Sequence, residues 1–134
     1  MMKEIMLSTE LTMLVASATL ALFSFMPYFL AYIQHWGISG IVNNRENLPE
    51  LPKWAQRAQA AHGNLTENLV HFAALVLVAH VIGASNDITA MGATIFFWAR
   101  VAYLVIYTAG IPWVRTIAFM AGWVGEVMIL TQLF

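Results

Sequence analysis

The chain has 134 residues, 60% of them hydrophobic and only 10% charged, against roughly a quarter charged in ordinary soluble domains, so it reads as an integral membrane protein. At roughly 20 apolar residues per span it has room for about four transmembrane helices and no sizeable soluble module. A net charge of −1 without runs of like charge excludes the basic footprint of nucleic-acid binding, and the absence of cysteine excludes disulfides, thiolate metal ligands and a thiol nucleophile of the chain's own.

The opening MMKEIMLSTELTMLVASATLALFSF has one cation, Lys3, beside Glu4 and followed by Glu10, and its apolar run outlasts the usual leader core of about 7 to 15 residues. It is predicted to be a retained first span, about residues 9–36, with Pro27 as a kink and Ser24 placed to satisfy the freed backbone groups. Tyr28, Tyr32 and Trp36 near its end read as an aromatic belt. GISGIVNNRENLPELP, Gly37 to Pro52, holds two glycines and two prolines and is the one long connecting loop.

A second helix is predicted over about 53–82, closed by the turn Gly83 to Asp87, with Asp87 as N-cap of a third helix over about 88–108. Gly110 ends that helix and Pro112 fits the first turn of a fourth, about 112–134. The short connections imply antiparallel neighbours, so the expected architecture is an all-α four-helix membrane bundle in a single domain, 1–134. Arg45, Lys53, Arg57 and Arg115 fall on one side and Lys3 on the other, which makes the long loop cytoplasmic and turns both termini to the periplasm or lumen.

Polar groups gather at one depth. On the second helix Arg57, Asn64, Asn68 and His71 form a stripe bordered by Glu67; on the third, Arg100, Tyr103 and Tyr107 share a face; on the fourth, Arg115 and Glu126 nearly do. A charge at mid-membrane costs about 2.5 to 3.5 kcal/mol on insertion scales, so such groups face a bundle interior and find partners. Two readings stay open on these residues alone. In the structural one, Glu67 neutralises Arg100, Asn64 and Asn68 link helices, and Arg57 and Arg115 snorkel to headgroups. In the functional one, three guanidiniums facing one carboxylate, with Asn and Tyr donors, make a cleft for a small anionic ligand, and Arg115 with Tyr107 stabilises a developing thiolate. Glu67 and His71 stand i, i+4, but no second Glu-x-x-His pair accompanies them, so no metal site is expected. His35, His62 and His80 read as interfacial or hydrogen-bonded helix residues.

The ordered set Asn64-Leu65-Thr66-Glu67, Arg100-Val101-Ala102-Tyr103 with Tyr107, and Arg115 opening the fourth helix resembles MAPEG, the membrane-associated proteins in eicosanoid and glutathione metabolism. The resemblance spans about Val42 to Phe119 and is closest to a bacterial branch with an Ala-rich second span such as HFAALVLVAHVIGA followed by ARV-x-Y. It implies a four-helix protomer in a homotrimer of the bacterial inner membrane. It also implies glutathione, as thiol co-substrate, bound between subunits near the cytoplasmic face. Carried over, Arg57, Asn64, Glu67, Arg100 and Tyr103 hold the tripeptide, while Arg115 and Tyr107 are catalytic, Arg115 lying one residue further from Tyr107 than in some members.

The implied activity is a glutathione-dependent transferase or peroxidase acting on hydrophobic electrophiles from the bilayer. Catalytic members typically read R-x-x-x-N-x-x-E on the second helix, whereas Ala60 stands at the first position here and Asn68 where an aromatic can follow the Glu. The competing class is a non-catalytic lipid binder or accessory subunit of a larger membrane complex, whose polar cluster only locks helices.

Overall fold

The computed structural model describes residues 7–134; Lys3, the lone cation assigned to the far side, lies outside them. The order of elements is α1 (Thr9–Phe23), α2 (Met26–Val42), α3 (Lys53–Val81), α4 (Asp87–Ala109) and α5 (Pro112–Thr131). Four stretches are long and apolar enough to cross a membrane: Thr9–Val42, which joins α1 and α2, then α3, α4 and α5. The chain is a multi-pass, all-helical membrane protein.

The first span breaks at Ser24 and Phe25, where Pro27 lacks the N–H an unbroken helix needs. Ser24 was expected to satisfy the freed groups, but its buried Oγ has no partner. His62 on α3 does so instead: its Nε2 lies 2.8 Å from the Ala21 carbonyl oxygen and its Nδ1 2.7 Å from the Tyr28 hydroxyl. A carbonyl can only accept, so a neutral ring carries its proton on Nε2 and takes the Tyr28 proton at Nδ1. One side chain thus ties both halves of the broken span to α3.

Tyr28 and Tyr32 are not a lipid-facing belt. Spaced i, i+4 with Ala31 between, they are buried against Ala55 and Ala58 of α3, and Tyr32 stacks on Trp36 with ring centroids 4.5 Å apart. Small residues on α3 make room for rings, so the aromatic row turns inward. Helix continues past the expected end at Trp36 to Val42, with one non-helical residue, Gly37 at φ +68°. Trp36 Nε1 donates to the Pro49 carbonyl at 2.8 Å, folding the loop back on α2. Where that loop meets α3, Lys53 and Gln56 donate to Glu50, and the Lys53 bond first of all holds its carboxyl below the ordinary carboxylate range.

The turn into α4 is capped by Asn86, not Asp87. The Asn86 side chain accepts from the backbone N–H groups of Ile88 and Thr89, and the Thr89 hydroxyl accepts from the Asn86 N–H, a reciprocal capping box. Asp87 becomes the first helical residue, where a negative charge suits the helix dipole. The same helix start receives Glu10 of α1, which is 4% exposed. The Ser85 hydroxyl donates to Glu10 Oε2 at 2.6 Å and Thr89 Oγ1 stands 3.2 Å from Oε1. Thr89 also has the Asn86 carbonyl at 2.9 Å, but Glu10→Ala would leave the Ser85 hydroxyl short of an acceptor, so a loss of about 1–3 kcal/mol is expected, read as a lower unfolding temperature in detergent. Equal stability of the variant would show that Glu10 does not lock α1 to α4.

The most extensive helix pairing is α4 with α5. Toward its end away from the turn, Gly92 and Gly125 meet so closely that a Cβ on either would lie 2.5 Å from the other's carbonyl oxygen. The glycines of α5 therefore serve contact within the protomer, Gly125 against Gly92 and Gly122 against Phe96, Ala99 and Arg100 of α4. Phe72, Val76, Phe96 and Ile129 fill the space between α3, α4 and α5 towards the far end, with the Phe72 and Phe96 rings stacked at 4.0 Å.

Candidate functional site

α4 supplies the spine of the site. Arg100, Tyr103 and Tyr107 follow one another on its face at i, i+3, i+7, and α3 and α5 close on that face from either side. Arg100 is 1% exposed, one of the largest fully buried side chains of the protein. Its Nη2 donates to Asn64 Oδ1 on α3, and its guanidinium lies 4.2 Å from the centroid of the Tyr103 ring and 5.7 Å from that of Phe119. Tyr103 meets Tyr107 edge to face at 5.6 Å, and the Arg115 guanidinium lies 4.4 Å from the Tyr107 centroid. The result is a continuous ladder: Asn64, Arg100, Tyr103, Tyr107, Arg115. Each cation lies over the electron-rich face of one ring of the central tyrosine pair, Arg100 over Tyr103 and Arg115 over Tyr107, which stabilises it in a medium poor in water.

Five of the seven residues singled out from the sequence are thus brought together, and two are not. Arg57 points to the end of α4, where its Nε donates to the Thr108 carbonyl at 3.1 Å and its guanidinium packs on Gly110. The last carbonyls of a helix lack partners and carry negative dipole charge, so a nearby cation is drawn to them. Gly110, at φ +83°, gives the guanidinium room, since a Cβ there would stand 3.1 Å from its Cζ.

Glu67 is exposed and forms no ion pair with Arg100; among the described residues the ion pair present is Lys53–Glu50. The physical reason is helical phase. Ala61, Leu65 and Phe72, all 0% exposed, mark the inner side of α3. At 100° per residue Asn68, Arg57 and Asn64 stand about 40°, 60° and 80° from its centre, His71 about 100° and Glu67 about 140°. The polar stripe therefore runs along the edge of the buried face, and its two outermost members, His71 and Glu67, point out of the protomer.

Glu126 of α5 takes the inner position instead. It is 8% exposed and within electrostatic reach of Arg100 and His71. Periodicity placed Glu126 on nearly the same face as Arg115, but the sequence offered no sign that it, not Glu67, would be the carboxylate nearest Arg100. A cleft of about 250 Å³ opens beside it, lined by Asn68, His71 and Leu75 of α3 and by Trp123, Val127 and Leu130 of α5. Two apolar grooves of about 560 and 430 Å³ lie on the other side of the bundle, meeting at Ser24 and Pro27.

Comparison with known families matches the MAPEG family over residues 11–134, nearly the whole described chain. The chain belongs to the MAPEG family. Neither the curated proteins nor the solved structures provide a match. MAPEG proteins are membrane proteins that include glutathione transferases and peroxidases, and they are generally trimeric. The matched region takes in every residue of the ladder, and it extends the resemblance carried by Asn64 to Glu67, Arg100 to Tyr103, Tyr107 and Arg115, over about residues 42–119, to residues 11–134.

Proposed function

We propose that this MAPEG protein is a glutathione-dependent transferase or peroxidase for hydrophobic electrophiles that reach it through the bilayer. The observation that carries the reading is the ladder from Asn64 to Arg115: two guanidiniums without a carboxylate in direct contact among the described residues, bracketing two tyrosines and running from the fully buried Arg100 to the half-buried Arg115. That array is suited to an anionic peptide, and a fixed cation beside its sulfur favours thiolate over thiol. In this reading Asn64, Arg100 and Tyr103 hold the tripeptide, and Arg115 with Tyr107 faces the reacting sulfur. The thiolate attacks the electrophilic carbon and displaces its leaving group, or attacks a hydroperoxide oxygen, breaking the O–O bond to leave the alkoxide, which is protonated to the alcohol, and a sulfenic acid that a second glutathione converts to the disulfide and water.

Glu67 and His71, exposed at membrane depth, are costly to leave against lipid. A homotrimer covers them, and glutathione then lies between protomers, where Glu67 contributes from the rim. The setting is the bacterial inner membrane with the long loop cytoplasmic. A second reading, a lipid binder or accessory subunit, draws on Ala60 and on the commitment of Arg57 to the Thr108 carbonyl, which leave the tripeptide fewer cations.

The discriminating experiment incubates the detergent-solubilised protein with glutathione and either an activated aryl halide or a lipophilic hydroperoxide. Glutathione-dependent consumption of either substrate, above the uncatalysed rate, is the expected result. Absence of turnover with both, in protein that remains folded, would favour the non-catalytic reading.

A further inference from the structure

Buried charge on this protein is not shared out as its sequence suggests. Arg100 is 1% exposed and spends one donor on Asn64, while its Nε, also buried, has no hydrogen-bond partner. On the neighbouring helix Glu126 is 8% exposed, and its Oε1 is likewise buried and without a partner. The two charges are opposite and not in direct contact. The arginine stem packs on α5 one turn before Glu126, where a Cβ on Gly122 would lie at contact distance, 3.6 Å, from Arg100 Cδ. That packing brings the guanidinium within electrostatic reach of the carboxylate.

The groups around Glu126 are few. Arg100 comes from α4, His71 and Asn68 from α3, and Trp123 from α5 itself. Asn68 Nδ2 already donates to the Asn64 carbonyl at 2.8 Å, and among the described residues Glu126 has no other fixed cation within reach. A carboxylate kept in an apolar span is expensive unless a cation compensates it, and the same holds for the guanidinium.

We infer that Glu126 is a positioning residue for Arg100: it supplies the opposing charge that draws the guanidinium into the bundle at the depth of Tyr103. This rests on the reading of Arg100 as a glutathione-holding residue. Without Glu126 the guanidinium keeps only the Asn64 bond and the Tyr103 and Phe119 rings, and no charge opposes its shift along the flexible stem toward water. The tripeptide would then lose its deepest cationic contact although every residue touching it remained.

The test uses full-length wild type, Glu126→Gln and Glu126→Asp, purified in detergent. The readouts are KM and kcat for glutathione and the ¹⁵Nε resonance of Arg100. Glu126→Gln is expected to raise KM for glutathione about tenfold with kcat nearly unchanged, the pattern of lost binding shared by ground and transition states. Glu126→Asp, which keeps the charge, should restore most of the loss even if the Gln variant proves too unstable to assay. The Arg100 Nε resonance should move in Glu126→Gln and return toward wild type in Glu126→Asp. Lower thermal stability in both variants with unchanged KM and an unmoved Nε resonance would make Glu126 merely structural and overturn the inference. A wild type that does not use glutathione, with the Nε resonance still following the charge at residue 126, would overturn the glutathione reading and uphold the coupling of Glu126 to Arg100.

Discussion

Arg115→Ala is expected to lower kcat for glutathione-dependent turnover by about 10²- to 10³-fold, the range seen when one donor to a developing anion is removed. Arg115 is half-buried one turn into α5 and has no carboxylate partner among the described residues; its guanidinium is held over the Tyr107 ring at 4.4 Å. Its charge is therefore preorganised and not consumed by another protein group. Because a nearby cation acts by favouring thiolate, the residual activity of the variant should recover as pH rises, shifting the pH–rate profile upward. Arg115→Lys should retain part of the effect through its charge while losing the planar stacking on Tyr107. An unchanged kcat in Arg115→Ala would remove Arg115 from the chemistry.

The largest effect on stability is expected at the α4–α5 seam. Gly125→Ala puts a methyl group 2.5 Å from the Gly92 carbonyl oxygen, and backbone cannot swing aside as a side chain can. Separating the two helices there would also loosen Gly122 from Phe96 and Arg100, so the cost should reach or exceed the upper part of the usual overpacking range of about 1–3 kcal/mol. Gly63→Ala is the matched control, since nothing lies within 4 Å of a Cβ at that position in α3. There the alanine should be neutral or stabilise by roughly 0.5–1 kcal/mol through helix propensity. Thermal unfolding of the two variants side by side checks both signs; equal behaviour would mean that the glycine contact does not set the helix spacing.

How far the sequence reveals this molecule can be seen residue by residue. The spans were legible because apolar length is a direct consequence of bilayer thickness, and the α4–α5 corner because Gly110 and Pro112 each have one conformational use there. The ladder was legible in part, since Arg100, Tyr103 and Tyr107 share a face by helical arithmetic alone.

What could not be read was phase between helices. Whether Asn64 or Glu67 turns to Arg100 depends on how α3 is rotated, and that is set by the burial of Ala61, Leu65 and Phe72. Glu126 was visible as a carboxylate but not as the one nearest Arg100. His62 as the clasp of a broken helix, and Glu10 on the α4 start, are contacts across 41 and 75 residues of chain that no local pattern announces. The inward turn of Tyr28 and Tyr32 follows from small residues on a different helix, which aromatic position near a span end does not reveal.

The central claim is that the ladder from Asn64 to Arg115 binds glutathione. It is tested most directly by the unfolding temperature of the detergent-solubilised protein across a glutathione titration to millimolar concentrations, with Arg100→Ala alongside. A ligand that binds only the folded state stabilises it by about 2.7 kcal/mol at a hundred times its Kd. The account predicts a saturable rise in the wild type that is absent or strongly weakened in Arg100→Ala. A flat titration in the wild type, or an equal rise in both proteins, would contradict it.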